Sequence, residues 1–498
     1  MDFRCKKVPG VDLSDREQLR NLRPFDWDHN FPEVRKNGGF DIVVGNPPYY
    51  SIDKTWGKGD LRLRVLRDLY PDVFTDKTDI YYYFLHRALE ISKGRVGFIV
   101  SRAFLEADKA KNIRGYLNEN TDIELLFDFR NMRVFEQAGI ATSIIVFRPA
   151  KKNFASPTTI VRLAHPLKEH EQDAQSLSRA VNQESFSQVL RSFGRDPWNV
   201  ARPEVRQLYE KVDDAGEPLG TIAILGQGMQ TGCNEAFEPP HDLANKLGAR
   251  ARQSILRQRA RNSDIFAYVV APTTIPLLYL EDVEKFDDLP NSVQAHLKKF
   301  RGELHERAAY QRGDCEWWKY TWPLQREYYD RPRIICPYRC SENRFSLVEP
   351  STLGLTDTTT VFLNQIVEDP RYILGLINSK LLTFRFRGLG KLTGSSLYEY
   401  FDNSVSRLPI RRIDIKSRAE RSSHDQICTL VSAIQTDIAE LHDPRRHGDQ
   451  PTIRENVRMS LLEVDRLVYQ LYSVTADEEN LIGQEMSMTA DSQPGDPD

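Results

Sequence analysis

This sequence of 498 residues has no long apolar runs, few cysteines and no marked excess of charge of either sign. No apolar run approaches the ~18 residues of a membrane span, so no transmembrane segment is expected. Six cysteines and no secretory signal argue against a disulfide framework and favour a cytoplasmic location. The net charge of −3 excludes general binding to polyanions, so any nucleic-acid site must be a local patch. Cys336 and Cys340 lack a second ligand pair at zinc spacing, so no metal site is expected.

A short apolar stretch that ends abruptly in two prolines is the strongest local pattern in the chain. The stretch FDIVVG at 40–45 is typical of a buried parallel strand, and Asn46-Pro47-Pro48-Tyr49 follows it directly. Neither proline has an N–H to continue a ladder, and each forces the residue before it into an extended conformation. The pattern predicts a rigid turn at the carboxyl end of a strand, where open α/β sheets bind ligands.

This turn has the groups needed to act on an amino group attached to a conjugated ring. Such an amine is a poor nucleophile, and hydrogen bonds from its N–H groups to two acceptors increase the electron density on nitrogen. The Asn46 side-chain oxygen and the Pro47 carbonyl are two such acceptors, and Tyr49 can stack on the ring. We therefore predict that Asn46, Pro47, Pro48 and Tyr49 are catalytic; the alternative is a turn that merely ends a strand.

After the turn, the sequence alternates between helix and strand patterns. Apolar residues recur at helical spacing from 79 to 91, and aliphatic runs at 95–101, 123–129 and 141–147 indicate strands. The alternation predicts parallel crossovers in a doubly wound α/β sheet. The last two runs are too close for a crossover helix, so we expect them to pair as an antiparallel hairpin.

Composition divides the chain into five expected regions. Residues 1–150 contain the turn and the alternating helix and strand patterns, and a helical linker is expected at 151–218. A different composition at 219–413 predicts an α+β domain, with short strands that include 267–270 and a helix at 373–384. Residues 414–475 are expected to be helical. The acidic tail at 476–498 is expected to be disordered.

The segments FDIVVGNPPY, DIYYYFLHRALEI, GRVGFIVS and VFEQAGIATSIIVF resemble the later motifs of amino-group DNA methyltransferases. They most resemble the gamma-type adenine-N6 enzymes of type IIG restriction–modification systems. The resemblance implies a partial doubly wound, Rossmann-like methyltransferase sheet, with residues 1–150 as the C-terminal part of the catalytic domain, and S-adenosyl-L-methionine as methyl donor. It also implies that Asn46 and Pro47 bind the target amino group, that Tyr49 stacks on a flipped-out base, and that Phe135 contacts the base from its other side. The turn also occurs in glutamine and RNA methylases, so it does not settle the substrate alone.

The resemblance continues in the second half of the chain. The segments LGQGMQTGCNEAF at 225–237, WWKY at 317–320 and YILGLINSK at 372–380 are similar to the target-recognition domain of the same group. Basic residues cluster at 244–261 and 380–412; a solvated surface would explain either cluster alone, but two in such a domain favour contact with double-stranded DNA. The residues expected to bind DNA are Gly232, Asn234, Arg257, Arg259, Arg261, Lys380, Lys391, Thr393 and Ser395.

One part that the resemblance requires is missing. Such enzymes bind the cofactor at a Gly-rich turn after their first strand, and residues 1–39 contain no aliphatic strand followed by Gly-x-Gly. Asp26 and Asp79 are the candidate cofactor-binding acids. Without its neighbour, the strand at 40–45 would be a bare apolar edge. We therefore expect either a truncated enzyme or a split one whose second chain carries the cofactor-binding half.

Two other functions stay open. One is methylation of cytosine N4, which Ser or Asp in place of Asn46 would have favoured. The other is a DNA-specificity subunit that is not catalytic without a partner chain.

Overall fold

The computed structural model describes residue 25 and residues 27–490, apart from 58, 76, 131–133, 136–139, 151–156, 164–172, 199, 272–274, 365, 394–396 and 443–449. Contacts between residues divide the described chain into two compact units. The first unit contains the described residues up to Arg206, together with 393 and 487–490. The second contains Gln207–Leu392 and Leu397–Met486.

A six-stranded sheet of mixed direction, with the order β1-β2-β4-β3-β5-β6, forms the centre of the first unit. Its strands are Phe40–Gly45 (β1), Ser92–Ser101 (β2), Thr121–Asp128 (β3), Thr142–Pro149 (β4), Thr158–Arg162 (β5) and Ser185–Gln188 (β6). β1 runs parallel to β2, and β4 lies antiparallel between β2 and β3. The predicted hairpin of β3 and β4 is therefore confirmed.

The first unit extends well past the boundary expected at residue 150. β5 pairs in parallel with β3 through β-branched residues of the TTIVR segment, and β6 pairs with β5. The segment predicted as a helical linker thus contributes two strands to the sheet as well as a helix. Local composition did not indicate this because both strands are short and flanked by polar residues.

Helices of the first unit pack against several strands of the sheet. They are Trp27–Asn30 (α1), Pro32–Lys36 (α2), Ile52–Trp56 (α3), Leu61–Leu69 (α4), Tyr81–Ile91 (α5), Lys111–Asn120 (α6) and Ala174–Glu184 (α7), followed by Pro203–Asp214 (α8), which continues into the second unit. The apolar face of α5, including Tyr81, Leu85 and Leu89, is buried in one core with Val96 and Phe98 of β2. This packing fixes the strand ends that carry the candidate site.

β1 lies at the edge of the sheet, as expected for a strand without its usual neighbour. Ile42 and Val44 on one face of this strand are 69% and 79% exposed, whereas Val43 on the other face packs against the core. Among the described residues, the outer edge of β1 therefore has neither a pairing strand nor a cover for its aliphatic side chains.

The second unit is an α+β assembly of small sheets and helices. Its strands are Glu217–Pro218 (β7), Ala223–Gln227 (β8), Leu256–Ala260 (β9), Pro276–Leu278 (β10), Arg333–Pro337 (β11), Arg339–Cys340 (β12), Ser346–Val348 (β13), Thr352–Gly354 (β14), Thr358–Leu363 (β15), Lys391–Leu392 (β16), Tyr398–Glu399 (β17) and Pro409–Ile410 (β18). The largest sheet has the order β13-β11-β15-β8.

The helices of the second unit range from single turns to long rods. They are Leu219–Ile222 (α9), Asn234–Phe237 (α10), His241–Lys246 (α11), Ala249–Ile255 (α12), Asn291–Lys299 (α13), Arg301–Glu306 (α14), Ala308–Gln311 (α15), Pro370–Asn378 (α16), Lys380–Arg387 (α17), Asp402–Val405 (α18), Arg418–Leu441 (α19), Gln450–Leu471 (α20) and Ala476–Ala490 (α21), the last of which extends beyond this unit.

Three local expectations for this half differ from the structure. Residues 267–270 form isolated bridges at Tyr268 and Val270 in place of a strand. The helix expected at 373–384 is two helices, because Ser379 ends α16 and caps α17 by accepting a hydrogen bond from the Leu382 N–H. The tail expected to be disordered forms α21, which buries Ile482; residues 491–498 lie outside the described residues.

Candidate active site

The Asn-Pro-Pro-Tyr turn lies at the carboxyl end of β1, where the sequence predicted it. Asn46 is exposed and Pro47 is buried. The chain after the turn is held by a bridge between Ser51 and Asp79. The Ile80 N–H donates to the Tyr50 carbonyl at 3.0 Å, and the Ile52 N–H donates to the Thr78 carbonyl at 3.0 Å. These bonds fix the turn against the N-terminus of α5.

The Tyr49 hydroxyl lies between two oxygen acceptors. Its oxygen is 2.6 Å from Asn46 Oδ1 and 2.9 Å from the carbonyl oxygen of Ile99 in β2. The ring packs edge-on against Tyr81, with 6.0 Å between ring centroids. Burial raises the pKa of Tyr49 to about 12, so its hydroxyl is a neutral hydrogen-bond donor at physiological pH.

A cavity of about 720 Å³ opens beside the turn, entirely within the first unit. Asn46, Pro47 and Pro48 form one wall. Most of the remaining lining is apolar and comes from Phe25, Trp27, Val43, Val44, Gly45, Leu66, Leu69, Tyr70, Ile80, Tyr83, Phe84, Ala88, Ile91 and Phe98, with Arg87 and Glu90 at its margin. An apolar cavity with a few polar groups at one side is the usual form of a small-molecule site, and its size suits a planar ring.

Neither of the two predicted cofactor-binding acids is among the described residues that line the cavity. Asp79 is buried and accepts a 2.7 Å hydrogen bond from Lys109 Nζ, and Asp26 lies outside the described residues. Among the described residues that line the cavity, Glu90 is the one acid, and Arg87 pairs with it at 2.8 Å. The described lining therefore offers the ribose hydroxyls of a cofactor no carboxylate without a cation partner.

A buried ion pair that the sequence analysis missed joins the carboxyl ends of β2 and β3. Arg102 donates two hydrogen bonds to Asp128, at 2.9 and 3.2 Å, and two to Glu106, at 2.8 and 3.2 Å. Burial alone would raise the pKa of Asp128, but the Arg102 charge holds it below its usual range. Asp128 also accepts the backbone N–H of Arg130, which has a left-handed backbone with φ of 51°. In the sequence, the sign of this ion pair was Asp128, an acid that follows three apolar residues at the end of a strand.

Phe135, the predicted second wall for a base, lies in the loop between β3 and β4. Its side chain is half-buried, and its neighbour Val134 packs against the small core of Phe127 and Phe129. Among the described residues, neither Phe135 nor Tyr49 is part of the cavity lining beside Asn46. The contacts of both rings with a base stay predictions.

In the second unit, Gly232 lies in the loop before α10, and Asn234 is the first residue of that helix. A buried arginine, Arg307, holds this loop through hydrogen bonds to backbone carbonyls. Arg307 donates hydrogen bonds to the carbonyls of Thr231 at 2.5 Å, Trp317 at 2.8 Å and Lys319 at 2.9 Å. Gly232 has a φ of 77°, and a Cβ there would lie 2.1 Å from the Thr321 hydroxyl, so glycine is required. Asn234 is exposed, and its side-chain oxygen accepts the Thr231 hydroxyl at 2.6 Å.

The arginines predicted to bind DNA around β9 have partners within the chain. Arg257 donates to backbone carbonyls, including that of Leu256 at 3.0 Å, and stacks over Tyr279. Arg259 pairs with Glu238 and Asp357. Arg261 is exposed and pairs with Asp264 at 3.1 Å. Contact of these arginines with DNA stays a prediction, and it would compete with these pairs.

The remaining predicted DNA-binding residues are spread over the following elements. Lys380 is exposed at the start of α17, where its backbone N–H donates to Asp465 at 2.7 Å. Lys391 pairs with Glu399 at 2.7 Å, and Arg339 shares the same carboxylate. Thr393 is half-buried, and Ser395 lies outside the described residues.

The described residues contain neither a candidate membrane span nor a candidate metal site. No described helix is long and apolar enough to cross a membrane. In the same described ranges, no three His, Cys, Asp or Glu side chains come close enough to hold a metal ion.

Part of this chain is similar to restriction–modification methylases. A family model described as the Eco57I restriction-modification methylase matches residues 4–135, which include β1, the turn, α5, β2 and β3. The mixed α/β fold is shared with a solved restriction–modification enzyme, the type IIL enzyme MmeI in complex with DNA. The TM-score is 0.61 at 14% identity, over 95% of this chain and 59% of the MmeI chain.

Two curated relatives match this chain over different lengths. The type II methyltransferase M.HindII of Haemophilus influenzae is 22% identical over 439 residues, which cover 82% of each chain. The type II restriction enzyme and methyltransferase RM.Eco57I of Escherichia coli is 23% identical over 46% of this chain. That alignment covers only 22% of RM.Eco57I, so this chain corresponds to a minor part of that protein.

Proposed function

We propose that this chain is the base-recognising part of a site-specific DNA methyltransferase of a restriction–modification system, acting on the N6 amino group of a flipped-out adenine. The observation that carries the proposal is the exposed Asn46 oxygen at the end of β1, beside the Pro47 carbonyl and a cavity large enough for a purine. The similarity to restriction-modification methylases over residues 4–135 supports methyl transfer as the reaction.

In the proposed reaction, the residues of this chain bind and orient the amine. Asn46 Oδ1 and the Pro47 carbonyl accept hydrogen bonds from the amino group, which concentrates electron density on the nitrogen. Tyr49 and Phe135 are proposed to hold the extruded base between aromatic walls. Asparagine at position 46 favours adenine N6 over cytosine N4, for which Ser or Asp would be expected. No strong base is required, because the amine proton can leave after the methyl group is transferred.

S-adenosyl-L-methionine is the proposed methyl donor, and we propose that residues beyond the described ones complete its site. The observation that supports this is that Asp79 and Glu90 are both paired with cations. The open edge of β1 is the place where a further strand of the sheet would pair, carried by a cofactor-binding polypeptide. Double-stranded DNA is the proposed second partner, bound by the second unit.

A second candidate function is a DNA-specificity subunit without catalysis of its own. The lack of a carboxylate without a cation partner in the described lining of the cavity favours it for the chain by itself. The two candidates differ in whether Asn46 is needed once the cofactor-binding part is supplied.

The substitution Asn46→Ala separates them. In a complex reconstituted with a cofactor-binding chain, methyl transfer to DNA should fall at least about 100-fold, because removing one preorganised hydrogen-bonding group costs that much in comparable sites. Binding to the recognition sequence should change less than about twofold, because phosphate and base contacts elsewhere position the DNA. Tritium transfer and fluorescence anisotropy measure the two effects. Asn37→Ala, at an exposed position after α2, is the matched control and should change neither.

Retention of methyl transfer by Asn46→Ala would contradict the role of the turn. A reconstituted complex that binds DNA specifically but transfers no methyl group even with Asn46 intact would favour the specificity-subunit function.

A further inference from the structure

The hydroxyl of Tyr49 has one proton and two acceptors within reach, Asn46 Oδ1 at 2.6 Å and the Ile99 carbonyl at 2.9 Å. It can therefore donate to one acceptor at a time. The ring itself is held in place, because it packs on the core of the first unit and edge-on against the fully buried Tyr81. Rotation of the hydroxyl about its C–O bond is enough to change acceptor.

Asn46 differs from Tyr49 in having little else to hold its side chain. It is exposed at the end of β1, and within the described part of the chain its amide has one hydrogen bond, from Tyr49. A free primary amide can turn through 180° and exchange the positions of its oxygen and nitrogen. The 2.6 Å separation lies within the range of O–H···O bonds and below that of N–H···O bonds, so the amide oxygen and not the nitrogen faces Tyr49.

We propose that the Tyr49 hydroxyl is a positioning group that holds the Asn46 amide with its oxygen ready to accept a hydrogen bond from a base amino group. This inference rests on the proposed function and adds to it a role for the hydroxyl that is separate from stacking by the ring. An oxygen has two lone pairs, so Asn46 Oδ1 can accept from the incoming amine while Tyr49 still donates to it.

The Ile99 carbonyl gives the hydroxyl a second acceptor. If the incoming amine displaces the Tyr49 proton from Asn46, the proton turns to Ile99 and no buried donor is left unsatisfied. An unsatisfied donor would otherwise weaken binding. Burial keeps the hydroxyl protonated, with a pKa of about 12, so this donor is present throughout the neutral range.

The test compares two probes that differ only in the amino group. Each is a fluorescein-labelled heptathymidylate, with either deoxyadenosine or deoxynebularine, which has hydrogen in place of the amino group, at its centre. Fluorescence anisotropy gives the dissociation constant of each with the full chain. The wild-type chain should prefer the deoxyadenosine probe. In Tyr49→Phe that preference should fall by about fivefold, the effect expected for one hydrogen bond, with unchanged affinity for the deoxynebularine probe.

Tyr81→Phe is the matched control. It also removes one tyrosine hydroxyl next to the turn, but that hydroxyl donates to the Ser101 carbonyl at 3.3 Å and not to Asn46, so the preference should persist. Equal weakening of both probes by Tyr49→Phe, or no change in either, would overturn the positioning role while leaving the proposed function intact. A wild-type chain without any preference for the amino group would contradict both.

Discussion

The ion pair of Arg102 and Asp128 ties together the carboxyl ends of β2 and β3, and both side chains are buried. Asp128→Asn keeps the shape of the side chain but removes its charge. We expect it to lower the free energy of unfolding by about 3–5 kcal/mol, because a buried cation then loses its main partner. Urea denaturation followed by circular dichroism measures the loss. Glu106→Gln, at a more exposed partner of the same arginine, should cost clearly less.

The same pair predicts a pH dependence of definite sign. The pKa of Asp128 is lowered in the folded state, so its contribution to stability is fully present above the unfolded value of about 3.9. That contribution is lost as the pH falls through the lower folded pKa. The stability difference between wild type and Asp128→Asn should therefore be constant from pH 7 to about pH 5 and shrink in stronger acid. A difference that grew on acidification would contradict the pairing.

Sequence chemistry predicted the strand and turn at Asn46 because the cause is local: two prolines end an aliphatic strand. It did not predict the bond from Tyr49 to Ile99, since the two residues are 50 positions apart and meet only when β1 and β2 pair. Charge counting likewise identified Arg259 and Lys391, but it did not show that Glu238 and Glu399 pair with them. Residue types were readable from the sequence, whereas their partners depended on the tertiary fold.

At the scale of elements, β1 is an edge strand with an uncovered aliphatic face. Val44→Lys changes a side chain that is 79% exposed, so the free energy of unfolding should change by less than about 0.5 kcal/mol. A charge on the edge should also reduce self-association of the isolated chain, measured by light scattering. Val43→Lys is the matched substitution on the opposite face, where the side chain packs on the core, and it should cost at least about 1 kcal/mol.

Equal stability of the two lysine variants would show that the faces of β1 are assigned the wrong way round. Unchanged self-association in Val44→Lys would show that the edge of β1 does not mediate self-association.

Elements with a strong local pattern were predicted well, and those that depend on pairing were not. β2, β3, β4 and α5 have long apolar runs or clear helical spacing, and all four were expected. β5 and β6 are four or five residues long and become strands through pairing with β3 and with each other. The break at Ser379 was missed because the apolar pattern continues across it, while the serine hydroxyl caps a new helix.

At the scale of the whole molecule, the two units correspond to two proposed tasks, recognition of a base amine and recognition of a DNA sequence. Neither task requires a strongly basic protein, and the net charge of −3 agrees with local contacts of limited size. The boundary near Arg206 lies more than 50 residues after the boundary expected from composition. Composition could not reveal it, because the polar residues around β5 and β6 conceal their membership in the sheet.

The arrangement of charges around the cavity leads to a prediction for the chain as a whole. Isothermal titration of the purified chain with S-adenosylmethionine should show no stoichiometric binding in the micromolar range, because Asp79 and Glu90 are already paired with Lys109 and Arg87. The same preparation should bind duplex DNA in an anisotropy assay, which shows that it is folded. Adding a polypeptide that pairs with the edge of β1 should create cofactor binding, and Val44→Lys should weaken that gain. Stoichiometric micromolar binding by the chain alone would mean that the cofactor site is already complete and that the edge of β1 has no part in it.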